Sequence, residues 1–251
     1  MAKSRVLVTG MSGLIGRAFR KQVEGRYDLR ALNRSAVEGL PCHQADIADF
    51  GAIKPAFAGV ETVVHLAAQV GNPAWEAVLR HNITGTYNVF EAAREAGVKR
   101  VVFASSGATV SGYERDSPYA EIAAGKYAGL TTWPRLTDES PMRPAGLYGA
   151  SKVWGEALGR QYSDAHGLSV ICLRIGRVRA EDRPREPREF AVWLSQRDVA
   201  RMIERCITAP AAVRFDTFFV TSRNRWSYRD IAHARAVVGF EPVDVAEDHR
   251  T

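Results

Sequence analysis

The chain has 251 residues, 46% hydrophobic and 25% charged, with 21 Gly and 11 Pro. These proportions exclude a disordered or collagen-like polymer and suit one large α/β domain, or one domain carrying a small second lobe. Basic residues exceed acidic ones by 34 to 28, a formal charge of +6 built on 28 Arg and only 6 Lys, which reads either as genome composition or as guanidinium forks recruited to phosphate and carboxylate groups.

In chain order, Arg5–Thr9 is a buried-type strand, followed by a Gly-rich turn and a helix from about Leu14 to Val23. Tyr27–Leu32 and Cys42–Asp46 are predicted strands, Phe50–Phe57 is helical, and Thr62–Leu66 is a fourth strand. A helical pattern from about Ala74 to Ala96 closes at Gly97 and leads to the strand Arg100–Ala104. A long loop from Gly107 to about Gly146 precedes a helix from about Tyr148 to His166 and the strand Ser169–Arg174. A second loop runs from Gly176 to about Phe190. A helix (Gln196–Ala209), a strand (Phe215–Val220) and a short helix around Tyr228–Val237 follow.

Strands separated by helices pair in parallel through right-handed crossovers, and near-continuous apolar strands are covered on both faces. The expected architecture is therefore a doubly wound α/β (Rossmann) fold. Residues 1–175 would form the dinucleotide-binding domain, and residues 176–251 a small substrate lobe that is not an independent domain. Both long loops follow the carboxyl ends of strands, where open α/β sheets hold ligands.

The N-terminal apolar run is too short for a secretory segment, and no run approaches the roughly 18 residues of a membrane span. Cys42, Cys172 and Cys206 are odd in number and widely spaced, which suggests neither a disulfide framework nor a metal site. Cys172, within V-I-C-L, is expected to be a buried structural thiol. A cytoplasmic location is expected, with no metal.

The segment V-L-V-T-G-M-S-G-L-I-G sets Gly10, Gly13 and Gly16 between the first strand and the first helix. Glycines there permit a tight turn and close approach of backbone to a pyrophosphate at the positive end of a helix. At the end of the second strand an acidic residue would bind the ribose hydroxyls of NAD. Asn33 and Arg34 stand there instead. A guanidinium favours a 2′-phosphate, so NADP is expected over NAD; alternatively Arg34 stacks on adenine or faces solvent. Asp46 and Ile47 either reach the adenine, or Asp46 simply caps the following turn.

Tyr148-Gly-Ala-Ser-Lys152 opens a predicted helix, and four-residue spacing puts the phenol and the ammonium on one face. A neighbouring cation favours the phenolate of a group whose pKa is otherwise near 10. Such a Tyr can take a proton from an alcohol or return it.

These segments, with A-D-I, V-V-H-L-A-A, H-N-I-T-G-T-Y-N-V-F-E-A-A-R, V-V-F-A-S-S and L-R-I-G, resemble the extended short-chain dehydrogenase/reductase family, the NAD-dependent epimerase/dehydratase group, over nearly the whole chain. The resemblance implies that Tyr148 is the acid/base and that Lys152 binds the nicotinamide ribose. Ser106, or Gly107 on another count through the loop, would stand at the substrate-orienting position. Leu14, Ile15, Leu66, Ala67, Ala68 and Ile175 would line the cofactor groove, with Asn82 steadying a helix beside it.

Within the family the chain is most similar to uronate dehydrogenases, which oxidise a sugar acid at C1. On that likeness Gln69, Ser106, Gly107, Arg177 and Arg188 would meet substrate, Arg188 holding its carboxylate. Gly107, Val70 and Arg177 depart from the Asn, Ser and Ser expected, and Arg34 from an Asp.

The reading is an NAD(P)-dependent oxidoreductase acting on a sugar or sugar acid. A nucleotide-sugar epimerase that retains its cofactor, or a non-catalytic cofactor sensor, is the alternative. Dispersed basic residues without a recognition motif predict no nucleic-acid or membrane partner. The family likeness implies a homodimer built on the helices 74–96 and 148–166.

Overall fold

The computed structural model describes residues 3–250. Seven strands, β1 (Arg5–Thr9), β2 (Asp28–Asn33), β3 (Cys42–Gln44), β4 (Thr62–His65), β5 (Arg100–Phe103), β6 (Ser169–Ile175) and β7 (Phe215–Val220), form one sheet in the order β3-β2-β1-β4-β5-β6-β7. Every pairing is parallel. The order reverses direction between β1 and β4, which opens a crevice at their carboxyl ends.

Successive residues of a strand point to opposite faces, and the core divides accordingly. Val6, Val8, Val64 and Val102 pack with Phe19 and Met202 from the helices Leu14–Gln22 and Gln196–Ile207. Leu7, Val63 and Val101 pack with Phe90 and Tyr162 from the helices Gly85–Glu95 and Leu147–His166. Burial on both sides leaves β4, β5 and β6 without one exposed residue, as their unbroken apolar character requires. Cys172 is fully buried in β6.

The expected helix from 74 to 96 is interrupted: Trp75–Ala77 and Gly85–Glu95 are α-helical, while Val78–Thr84 is a π-helix. A close approach accompanies this break, because a Cβ at Gly85 would lie 2.6 Å from Cδ1 of Ile47. The stretch read as a loop after β5 holds a 3₁₀ segment, Gly107–Arg115, and a short helix, Tyr119–Ala123. Ser106 caps the first of these by accepting from the Ala108 amide at 3.1 Å.

Val110, Tyr119, Ile122 and Leu136 from this stretch form a third apolar cluster with Ala191, Val192, Trp226 and Tyr228. Backbone bonds fasten the two segments: Leu136 N–H donates to Tyr228 O at 2.7 Å, and Asp230 N–H to Leu136 O at 2.8 Å. Tyr228 and Arg229 are consequently extended rather than helical, and the last α-helix begins only at Ala232. No helix among the described residues is long and apolar enough to cross a membrane.

Candidate active site

A two-lobed cavity runs along the carboxyl edge of the sheet. The larger lobe, about 620 Å³, and the smaller, about 270 Å³, share Gly10, Gly13, Leu66 and Ala68 as their common wall.

The glycine turn forms that wall for steric reasons. Gly10 has φ +74°, and a Cβ there would lie 2.9 Å from the Ala67 amide nitrogen. A Cβ on Gly16 would meet the Met11 carbonyl at 2.5 Å. The helix Leu14–Gln22 starts after Gly13 without a side-chain cap. Its first-turn N–H groups therefore lack intrahelical partners at a wall lined by Gly13, Leu14, Ile15 and Gly16. Tight backbone, free amides and the positive end of a helix together fit a pyrophosphate.

The smaller lobe collects Asn33, Arg34, Asp46, Ile47, Ala67 and Gln69. Asn33 donates to Ser12 Oγ at 3.0 Å and to Ser35 O at 3.1 Å, which fixes its amide, while Arg34 is exposed at the rim. Asp46 caps the next turn by accepting from the Ala48 amide at 3.0 Å, and it pairs with Arg80 at 2.9 Å.

Two expectations shift here. Gln69, expected against substrate, lies in the smaller lobe with Arg34 and Asp46 and does not line the larger one. Asn82, counted among the cofactor-groove residues for steadying a helix beside it, lines neither lobe. It accepts from Gln69 N–H at 2.8 Å and donates to Gln69 O and Ser151 Oγ, both at 3.0 Å. Asn82 thus pins the backbone of the cavity wall to the helix Leu147–His166 from behind.

The larger lobe brings Ser106, Tyr148, Lys152 and Ile175 together with Gly107, Arg177 and Arg188. Tyr148 and Lys152 stand one turn apart on the helix Leu147–His166, with the Lys152 Nζ 5.6 Å from the phenol ring centroid. Lys152 is buried and donates to Ala104 O, at the end of β5, at 2.7 Å. Burial pulls its ammonium down to about 8. Burial also raises the Tyr148 phenol, against the opposing pull of the Ser106 hydroxyl. Desolvation is the larger of these two effects.

Of the two adjacent serines, Ser105 turns into the protein and donates to Glu156 at 2.5 Å. Ser106 continues the sheet through a bridge to Ile175 and is left to serve the cavity.

The arginines behave unequally. Arg177 contacts Glu189 at 3.3 Å, and Arg179 shares the same carboxylate. Arg188, expected to wait for a substrate carboxylate, is already engaged: Nε and Nη2 reach the two oxygens of Glu114 at 2.5 and 2.7 Å. Tyr228 donates its hydroxyl to Glu114 as well. No motif marks Glu114, Tyr228 or Arg229, so sequence reasoning missed them; Arg229 nevertheless lines the larger lobe.

A family model described as the NAD dependent epimerase/dehydratase family matches residues 6–197. The chain is 36% identical over 250 residues to the NAD-dependent glucose-6-phosphate dehydrogenase of Haloferax volcanii, covering 95% of this chain and 93% of that protein. It is 35% identical over 260 residues to the L-arabinose 1-dehydrogenase (NAD(P)(+)) of the same organism, covering 96% and 97%. Among solved structures, the uronate dehydrogenase of Agrobacterium tumefaciens superposes with a TM-score of 0.84 at 33% identity, over 99% of this chain and 87% of that one. The glycine turn, the Tyr148/Lys152 pair and these similarities lead to one assignment: the chain belongs to the NAD dependent epimerase/dehydratase family.

Proposed function

We propose that this protein is an NAD(P)-dependent oxidoreductase that oxidises a hydroxyl-bearing carbon of a sugar or sugar acid. The observation that carries the reading is the convergence of Tyr148, Lys152 and Ser106 in a lobe continuous with the glycine turn. Similarity over more than nine-tenths of two sugar dehydrogenases supports a simple sugar substrate.

Gly10, Gly13 and the first turn of the helix Leu14–Gln22 would hold the pyrophosphate, with the adenosine in the smaller lobe. Nicotinamide, when bound, supplies the two-electron acceptor for the substrate C–H bond. Tyr148 takes the hydroxyl proton as the C–O bond becomes C=O, and it returns that proton in reduction. Ser106 orients the substrate oxygen. Lys152, anchored by Ala104 O, would hold the cofactor ribose beside the phenol. A cationic ring beside Tyr148 would add the positive charge its buried phenol needs.

Arg34, exposed beside Asn33, Ser12 and Ser35, would take a ribose 2′-phosphate, making NADP the preferred cofactor. Trp75, Leu79, Tyr87 and Leu147 are exposed large apolar residues in or beside the two helical segments expected to pair in a homodimer.

A screen of uronic acids, aldoses and aldose phosphates with NAD and NADP separately tests the proposal. The expected result is net reduction of added cofactor by at least one of these sugars. A tightly retained cofactor and no net reduction would instead point to an epimerase.

A further inference from the structure

Arg229 is only 3% exposed, although it lines the larger lobe. Its hydrogen bonding is sparse: Nη2 donates to Gly107 O at 3.2 Å, and the buried Nε has no partner. Its guanidinium also lies 5.7 Å from the Tyr228 ring centroid, a contact that supplies no carboxylate.

The acids on this wall are committed elsewhere. Glu114 is held by both prongs of Arg188 and by the Tyr228 hydroxyl, and Glu189 serves Arg177 and Arg179. Arg229 lies within charge range of Glu114 but forms no ion pair with it, because the oxygens of Glu114 are already held by Arg188 and Tyr228. A buried charge that only shares a neighbour's carboxylate favours a partner of its own. The remaining approach is from the cavity.

The room for Arg229 comes from Gly107. A Cβ at that position would lie 2.1 Å from Nη1 and 2.2 Å from Cζ of Arg229. Any side chain at 107 would therefore compete with the guanidinium for the space beside Ser106.

We propose that Arg229 is the anion-recognising residue of the larger lobe: its guanidinium, seated in the space that Gly107 leaves, takes a carboxylate or phosphate group carried by the sugar. This assignment rests on the oxidoreductase reading and narrows its substrates to anionic sugars. It gives Arg229 the part that sequence resemblance assigned to Arg188, whose charge Glu114 already occupies.

Calorimetric titration tests this without relying on turnover. The protein is saturated with NADH, or with NADPH in a second series, so that no oxidation occurs. It is then titrated with glucose, glucuronate and glucose 6-phosphate. At least one anionic sugar should bind about 10- to 100-fold more tightly than glucose, the range expected for hydrogen bonds to a charged group. The glucuronate and phosphate arms show which anion is taken.

Arg229→Met should erase that preference, the anionic sugars binding it no more tightly than glucose does. Gly107→Ala, which displaces the guanidinium without removing it, should weaken the preference in the same direction. If Arg229→Met does not fold, the unchanged protein and Gly107→Ala decide. The proposal is overturned if glucose binds as well as both anionic sugars, if neither anionic sugar binds, or if Arg229→Met weakens all three equally. Absence of sugar oxidation in the turnover screen, with anion discrimination intact, would sink the oxidoreductase reading and leave the anion site standing.

Discussion

Ser105 donates its hydroxyl to Glu156 at 2.5 Å, from the end of β5 into the helix Leu147–His166. Glu156 also receives Arg174 Nε at 3.1 Å and Nη2 at 3.0 Å, and all three residues are buried. This triad locks the strand end that presents Ser106 to the cavity and the helix that presents Tyr148 and Lys152.

Ser105 and Ser106 should therefore respond differently to substitution. Ser105→Ala removes a donor from a buried carboxylate and should cost about 1–3 kcal/mol of stability while turnover persists. Ser106→Ala loses the cap on Gly107–Arg115, which costs about 1 kcal/mol, and should depress kcat while the protein remains folded. Paired thermal melts and steady-state kinetics on both variants check this; loss of activity in the Ser105 variant alone would reverse the assignment.

Arg174→Met leaves Glu156 buried without its cation. Breaking a buried pair from one side typically costs about 3–5 kcal/mol, so this variant should unfold at markedly lower urea concentration than Ser105→Ala. An unchanged unfolding midpoint would show that the pair does not hold the site together.

Tyr148→Phe keeps the ring and deletes the proton carrier. Turnover should fall by about 10²- to 10⁴-fold, the usual range for general acid–base catalysis, with cofactor affinity preserved. Cofactor titration by fluorescence beside kinetic assays separates the two effects. Undiminished turnover would remove Tyr148 from its role.

Arg34→Ala should raise the KM for NADP about tenfold, equivalent to about 1.4 kcal/mol, and leave the KM for NAD nearly unchanged. Equal effects on both cofactors would assign Arg34 to the adenine or to solvent.

Lys152 carries a definite pH signature. Burial lowers its folded pKa to about 8 from an ordinary 10.5. Between those values the unfolded chain binds more protons than the folded one, so this residue's contribution to stability rises with pH across that window. Urea unfolding of the cofactor-free protein at pH 8 and pH 10 should show that contribution, and Lys152→Met should abolish it. Identical pH dependence in both proteins would mean that the burial of Lys152 is not felt energetically.

All seven strands were legible, the central ones as short apolar runs and the polar β3 (Cys-His-Gln) only by its place in the chain, and the cavity follows from their order. Gly10, Gly13 and Gly16 could be read for the same reason: they lie beside one another between a strand and a helix. Tyr148 and Lys152 needed only helical spacing. The π-helical turn at Val78–Thr84 was hidden, because its apolar pattern differs little from that of an α-helix. The segment Gly107–Arg115 looked like loop because its order comes from the Ser106 cap and from packing against distant residues.

The sequence by itself determined the fold class, the glycine turn between strand and helix, and the placing of Tyr148 and Lys152 on one helical face, since local periodicity and short spacing are written along the chain. Only the tertiary structure decided which arginine is paired with Glu114 and which packs on Gly107. Glu114 and Arg188 are 74 positions apart, and Gly107 and Arg229 are 122 apart. Charge pairing acts over a few ångströms in space, so whether a guanidinium is satisfied or available depends on which segments the sheet and its crossovers bring together.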